Sequence, residues 1–299
     1  MSSNKKKKTW EENEAPVGRW IGAAAYALIV GLFLGSVLNW VVRILPVWSE
    51  GMFLAPWKGF FDNMSLFSGL FIGCVLGIRF VCRTSLRAFL FGRGRKPDVK
   101  AAMIAGALMF AGMLAGSVPS MKNYALDNTD ATVIAVNLVF CLAFTWIQTS
   151  TEEIFVRGFF LRAPYKNEIP QLPKGLLFAF ISSLLFMAVH LANPEVTSQK
   201  LGPDLVLGAA SYFVSAFCMY ICNLLIGGME AGLIFHLINN FFCFFLVRAK
   251  ITALTTPTII IDNSETSTGV VAFIVELIMF APPLIYLIMR KRRQPRSDS

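Results

Sequence analysis

Residues 131–157 read ATVIAVNLVFCLAFTWIQTSTEEIFVR. The stretch opens on a predominantly apolar run, Ala131 to Thr149, close to the ~20 residues a helix needs to cross a bilayer core. It closes on two adjacent carboxylates, Glu152 and Glu153, followed by the guanidinium of Arg157. A run of this kind reads as a transmembrane helix, and its polar end then asks for a separate explanation.

Seven further segments repeat the apolar pattern: Trp20–Val47, Leu66–Val81, Ala101–Val118, Leu176–Leu191, Leu205–Ile226, Ala231–Val247 and Val270–Met289. Leu66–Val81 and Leu176–Leu191 are short for a full crossing. In lipid only helices and closed barrels satisfy their own backbone hydrogen bonds. These runs are too continuous for the alternating strands of a barrel. The expected fold is all-α, a polytopic transmembrane helical bundle with about eight transmembrane helices. Residues 20–290 form one transmembrane domain, flanked by basic tails at 1–19 and 291–299. Composition agrees: of 299 residues, 56% are hydrophobic and 15% charged, against roughly 45–50% and 25% in soluble domains. That excludes a single water-soluble core, and intrinsic disorder with it. The 22 Gly and 14 Pro follow no triplet period, which excludes a collagen-like chain.

The net charge of +9 sorts along the chain. Lys5, Lys6, Lys7, Lys8 and Arg19 precede the first segment, Arg79 stands at the end of the second, and Arg83, Arg87, Arg93, Arg95, Lys96 and Lys100 lie between the second and third. Arg157, Arg162, Lys166 and Lys174 lie between the fourth and fifth, and Arg290, Lys291, Arg292, Arg293 and Arg296 follow the eighth. Only Arg43, Lys58, Lys122, Lys200, Arg248 and Lys250 fall on the other side. Basic loops face the cytoplasm, so both termini are expected there, in a multi-pass protein of the cell membrane. The apolar run after Trp20 is too long for a signal peptide and reads as a retained helix. The basic balance thus belongs to topology and membrane lipids, and no nucleic-acid partner is expected. The six cysteines sit in or beside apolar segments and suggest no disulfide framework. No internal repeat of the transporter kind is evident.

An ionisable group at membrane depth costs at least ~2.5 kcal/mol on insertion scales and marks a functional site by default. The chain has only 2 His, and both lie inside apolar segments. His190 ends Phe186-Met187-Ala188-Val189-His190, and His236 opens His236-Leu237-Ile238-Asn239-Asn240, with Asn240 one helical turn on. Glu153 and Arg157 stand at i, i+4 in the favourable order for a pair on one face, while Glu152 lies about 100° around the helix. Glu276, in the last segment, has no titratable residue at i±3 or i±4 and reads as a helix–helix hydrogen-bonding group. If the connection after Arg157 turns near Pro170, Glu152 and His190 lie at nearly equal distances from that turn, ~27–30 Å along two antiparallel helices. The carboxylates and the first histidine can therefore meet. Paired carboxylates, histidines and an asparagine in an apolar interior suit water activation, general-base catalysis and stabilisation of an oxyanion. That chemistry is amide hydrolysis within the membrane.

These residues resemble the motifs of the CAAX-protease and bacteriocin-processing family (Abi, or CPBP), which includes the Ras-converting prenyl endopeptidases. The three motifs are Glu152-Glu153-x-x-x-Arg157, Phe186-x-x-x-His190 and His236-x-x-x-Asn240. They fall in a stretch of about 131–247, and the family fold of eight helices agrees. The resemblance implies an intramembrane endopeptidase acting on a membrane-associated peptide or protein. It makes Glu152 the base that activates water and His190 a holder of that water. His236 and Asn240 would form the oxyanion hole, with Glu153 and Arg157 as supporting residues. A divalent metal such as zinc is left open; Glu152, His190 and His236 would be its ligands. His-Glu-x-x-His, Gly-x-Ser-x-Gly, Gly-x-Ser-Gly and Gly-x-Gly-Asp are all missing, which sets aside the zincin, α/β-hydrolase, rhomboid-like and presenilin-like alternatives. Two readings compete with an enzyme: a non-catalytic immunity or scaffold protein of the same fold, and a proton-coupled transporter.

Overall fold

The computed structural model describes residues 17–128, 130–162, 172–198, 202–253, 256–264 and 269–293. The outer parts of both tails, Lys5–Lys8 included, and the turn around Pro170 lie outside these residues. The helices are α1 (Val17–Ile44), α2 (Lys58–Leu76), α3 (Leu86–Phe91), α4 (Val99–Ser117), α5 (Ala131–Glu152), α6 (Phe159–Arg162), α7 (Leu172–His190), α8 (Pro194–Thr197), α9 (Pro203–Ile226), α10 (Glu230–Phe241) and α11 (Gly269–Arg293). Three π-helical segments continue α2, α5 and α10, at Gly77–Val81, Glu153–Gly158 and Phe242–Leu246.

Every apolar segment read from the sequence is helical, but the lengths divide them unequally. Among the described residues, six helical stretches are long and apolar enough to span: Gly18–Ile44, Ala55–Val81, Val99–Asn123, Ala131–Leu161, Pro203–Ile226 and Val270–Arg293. Gly175–His190, the apolar part of the 19-residue α7, and Glu230–Leu246 are shorter, in the 10–17 residue class, about 26 Å at most against a hydrocarbon core of ~30 Å. The expected eight spans thus resolve into six long helices and two short ones, and the short ones carry the two histidines. Packed among the long helices, they do not have to match the bilayer alone. The second span is longer than its apolar run because polar residues near its start are satisfied internally. Asn39 Nδ2 donates to the Asp62 carbonyl (2.9 Å), and Arg43 Nε lies 3.4 Å from Asp62 Oδ1. The fourth continues past Arg157 to Leu161, as the meeting of Glu152 and His190 requires.

Helices α1 and α2 pack along small residues. Ala23, Ala27, Gly31 and Gly35 face Gly77, Gly73 and Gly69, spaced every fourth residue. A Cβ on Gly69 would lie 2.1 Å from Gly35 N, and one on Gly73 would lie 2.4 Å from Ala27 O. Backbones this close gain dispersion contact that larger residues would prevent, the usual basis of helix association in lipid. The outer face of α1 is apolar and uncovered, with Ile29 71%, Phe33 68% and Trp40 64% exposed. In a multi-pass membrane protein that face meets lipid.

At one end of the bundle β1 (Tyr124–Leu126), β2 (Val247–Ala249) and β3 (Ile260–Asp262) form a small sheet of order β1-β3-β2. β1 runs antiparallel to β3, and β2 runs parallel to it. Asp127 ties this cap together: Arg248 Nη2 donates to Oδ1 at 2.9 Å, and the Thr258 N–H donates to Oδ2 at 3.1 Å. Burial pushes the Asp127 carboxyl up, but these donors outweigh it and hold it below the usual carboxylate value.

Placing a side chain at Gly69 should separate α1 from α2. Gly69→Val is expected to lower stability by about 1–3 kcal/mol or more, the usual effect of overpacking, read as a drop in the detergent unfolding midpoint. Gly18→Ala, with nothing within 4 Å of the added Cβ, should leave it unchanged or slightly raised.

Candidate active site

Glu152 closes α5, and Glu153 opens the π-helical turn that carries Arg157. The two adjacent carboxylates go to different places. Glu153 and Arg157 are both 0% exposed, deep in the protein, so theirs is no surface ion pair at a helix end. Arg157 Nη1 donates to Glu153 Oε1, which also accepts from His236 Nδ1 at 2.8 Å. Gly232, one turn before His236, lets α10 come this close: a Cβ there would sit 2.6 Å from Glu153 Oε2. The guanidinium of Arg157 lies over the Phe186 ring, 4.7 Å from its centroid. Phe186 in turn packs against His190, with ring centroids 4.1 Å apart and the planes tilted by 33°. The aromatic of the second motif therefore joins the buried cation to the histidine one turn later. The π turn is anchored from α7 by Ser182 Oγ, which donates to the Val156 carbonyl at 3.0 Å.

Glu152 faces the other way, into a cavity of about 430 Å³ lined also by Gln148, His190, His236, Asn239 and Asn240. His190 Nε2 lies 3.9 Å and His236 Nε2 3.5 Å from Glu152 Oε2, and Gln148 Nε2 donates to Oε1 at 3.2 Å. The tautomer of His190 follows from its partner. The Phe186 carbonyl, 2.7 Å from Nδ1, can only accept, so Nδ1 carries the proton and the neutral ring offers the Nε2 lone pair to the cavity. Asn240 is oriented by its neighbour. Asn239 Nδ2 donates to Asn240 Oδ1 at 3.1 Å, which leaves the Asn240 amide hydrogens available to the cavity.

All six residues singled out in the sequence thus fall in one neighbourhood. Glu152, His190, His236 and Asn240 line the cavity, while Glu153 and Arg157 lie behind it. Sequence reading missed a second layer. Tyr212, on α9, stacks on the His190 ring at 4.7 Å, and its hydroxyl donates to Glu195 Oε1 at 2.7 Å. Glu195 also accepts from Asn193 Nδ2 at 3.1 Å. The turn signal Asn193-Pro194 directly after His190 was the available clue. Glu276, read as a helix–helix hydrogen-bonding group, does bond to Ser215 of α9, and it also lines the cavity.

Glu152, His190 and His236 gather around one carboxylate oxygen. Among the described residues, however, no group of three or more His, Cys, Asp or Glu is arranged to hold a metal ion. The six cysteines, Cys218 and Cys222 included, are free thiols.

Residues 134–242 match the family model described as Type II CAAX prenyl endopeptidase Rce1-like. The matched stretch runs from α5 to the end of α10 and holds all six motif residues. The chain is also 32% identical over 143 residues to a Bacillus subtilis (strain 168) protein named Uncharacterized protein YyaK, covering 47% of this chain and 44% of that one. It therefore spans under half the length of that curated relative. No solved structure matches the chain.

Removing one partner of a buried ion pair leaves an uncompensated charge, at a cost of about 3–5 kcal/mol. Arg157→Met is expected to lose that much, measured as a fall in the unfolding midpoint in detergent. Adding Glu153→Gln should recover part of the loss rather than deepen it. Additive losses would show that Arg157 and Glu153 are not coupled.

Proposed function

We propose that the protein is a glutamate-dependent intramembrane endopeptidase that hydrolyses a peptide bond of a membrane-associated protein or peptide. The observation that carries this reading is the approach of both histidine Nε2 atoms to Glu152 Oε2 inside a cavity walled by membrane helices. A water molecule placed there can donate one hydrogen to the Glu152 carboxylate and the other to the His190 Nε2 lone pair.

Glu152 takes a proton from that water as the oxygen attacks the carbonyl carbon, and the negative charge moves to the carbonyl oxygen. The Asn240 amide and His236 Nε2–H donate to this oxyanion. For His236 to donate, Nε2 must carry a proton, and Nδ1 already donates to Glu153, so the ring acts as an imidazolium. The buried carboxylate of Glu153 balances it. Together Glu152, Glu153, Arg157 and His236 then carry equal positive and negative charge, which limits the cost of holding them out of water. As the intermediate collapses, Glu152 passes its proton to the amide nitrogen, the C–N bond breaks and the amine leaves. No step in this sequence calls on a metal ion. The excess of basic residues around the first, third, fifth and last helix ends supports a cytoplasmic placement of both termini.

Glu152→Ala and His190→Ala should abolish cleavage while the protein still inserts and folds. Asn240→Ala should cost about 10²- to 10³-fold in kcat, the usual effect of losing one oxyanion donor. The measurement is mass spectrometry of membrane peptides gained and lost against the wild type, with unfolding midpoints as the folding control. Wild-type cleavage by both Glu152→Ala and His190→Ala would sink the reading. Function retained by Glu152→Gln would favour a non-catalytic peptide-binding protein instead.

A further inference from the structure

The described lining of the cavity is rich in acidic residues. Glu152, Glu195 and Glu276 all line it, and its described lining contains no lysine or arginine. Glu152 faces the two histidines. Glu195 accepts from the Tyr212 hydroxyl, Asn193 Nδ2 and the Ala253 N–H, the last at 3.0 Å. Glu276 is left differently. Ser215 bonds to its carboxyl, but Oε2 is buried and has no hydrogen-bond partner among the described residues. A carboxyl oxygen in that state costs the desolvation of an acceptor without the return of a bond. Inside a membrane helix the cost is larger still. A cavity occupant that supplies a positive charge or a donor removes both penalties.

We propose that Glu276 is a recognition subsite for a lysine or arginine side chain of the polypeptide whose scissile bond lies over Glu152. The proposal rests on the proteolytic reading above and names its substrate class: a basic-residue-bearing internal stretch of a membrane-associated polypeptide. A free C-terminal carboxylate suits this cavity poorly. It would bring a further negative charge beside Glu152 and Glu195, and among the described lining residues no guanidinium or ammonium is present to receive it. The wall built by α11 lies beyond residue 242, outside the stretch that matches the prenyl-endopeptidase model. Substrate choice can therefore differ from what that family description implies while the residues around Glu152 stay the same.

The test uses the full chain in lipid nanodiscs and a set of fluorescein-labelled Leu/Ala peptides with amidated C-termini. One lysine is scanned through the peptide, and the best-binding position is then remade with norleucine or glutamate. The norleucine peptide is also made with a free C-terminal acid. Anisotropy titrations are expected to show the lysine peptide binding at least about tenfold tighter than the norleucine one, with the glutamate and free-acid peptides weaker than norleucine amide. In Glu276→Gln the lysine-to-norleucine affinity ratio should fall to within about twofold, while Glu276→Asp, which keeps the charge, should retain most of it. Equal affinities across the wild-type series, no measurable binding of the lysine peptide, tighter binding of the free acid, or an unchanged ratio in Glu276→Gln would each overturn the proposal. Cleavage of the bound peptides is followed separately in wild type and Glu152→Ala. Cleavage indifferent to Glu152 overturns the proteolytic reading, whereas a lysine ratio that ignores Glu276 overturns only the subsite.

Discussion

A carboxylate with no access to water must be compensated by its neighbours, and Glu153 meets that requirement by drawing three helices to one point. Arg157 reaches it from the next turn of its own chain, and His236 reaches it from α10. Because the His236 ring is held through Nδ1, its Nε2 is aimed at Glu152. Because the Arg157 guanidinium covers Phe186, α7 is held where His190 can approach the same carboxylate from the other side. An uncompensated charge here would cost several kcal/mol. Geometry at the cavity wall is thus set by groups that never touch the cavity.

The π-helical turn at Glu153–Gly158 belongs to the same arrangement. Such turns concentrate at functional sites in helices, and here the turn begins at the residue where the chain stops serving the cavity and starts serving the core. Two of the three π segments have a carbonyl taken up by a polar side chain from elsewhere: Val156 by Ser182, and Phe244 by Asn137 at 3.0 Å and Thr256 at 2.7 Å. Without water in the hydrocarbon region, a carbonyl released from regular helical bonding needs such a partner. The buried serines, threonines and asparagines of this chain are accounted for in part by that need.

The long helices supply the apolar surround, and the short ones hold the chemistry. The small-residue contact of α1 with α2 needs no polar group, and α1 presents the rest of its surface to lipid. Helices α7 and α10 begin or end within the bundle, so each histidine sits on an element that its neighbours support. Tyr212, stacked on His190, and Glu195, which accepts from Tyr212, extend that support. Glu276 adds to the cavity a carboxylate from a helix that carries no part of the three motifs.

Much of this was legible in residue order. Apolar run length separates helical membrane segments from every soluble alternative, because the hydrocarbon core sets a minimum length and forbids unpaired backbone. Confinement of both histidines to such runs marks the site, because no other placement of an ionisable ring costs as much. The i, i+4 pairs, Glu153 with Arg157 and His236 with Asn240, follow from helical periodicity alone. Tertiary structure decided the rest. Which of two adjacent glutamates is buried depends on what α10 brings opposite them, and a local spacing rule carries no information about that. The lengths of the short helices depend on the neighbours that shield them, and Asp62 was accommodated by residues on α1. Glu195 follows His190 by five residues, whereas Tyr212 and Glu276 lie far from the motifs in sequence; all three meet at the cavity only because helices α8, α9 and α11 close around it.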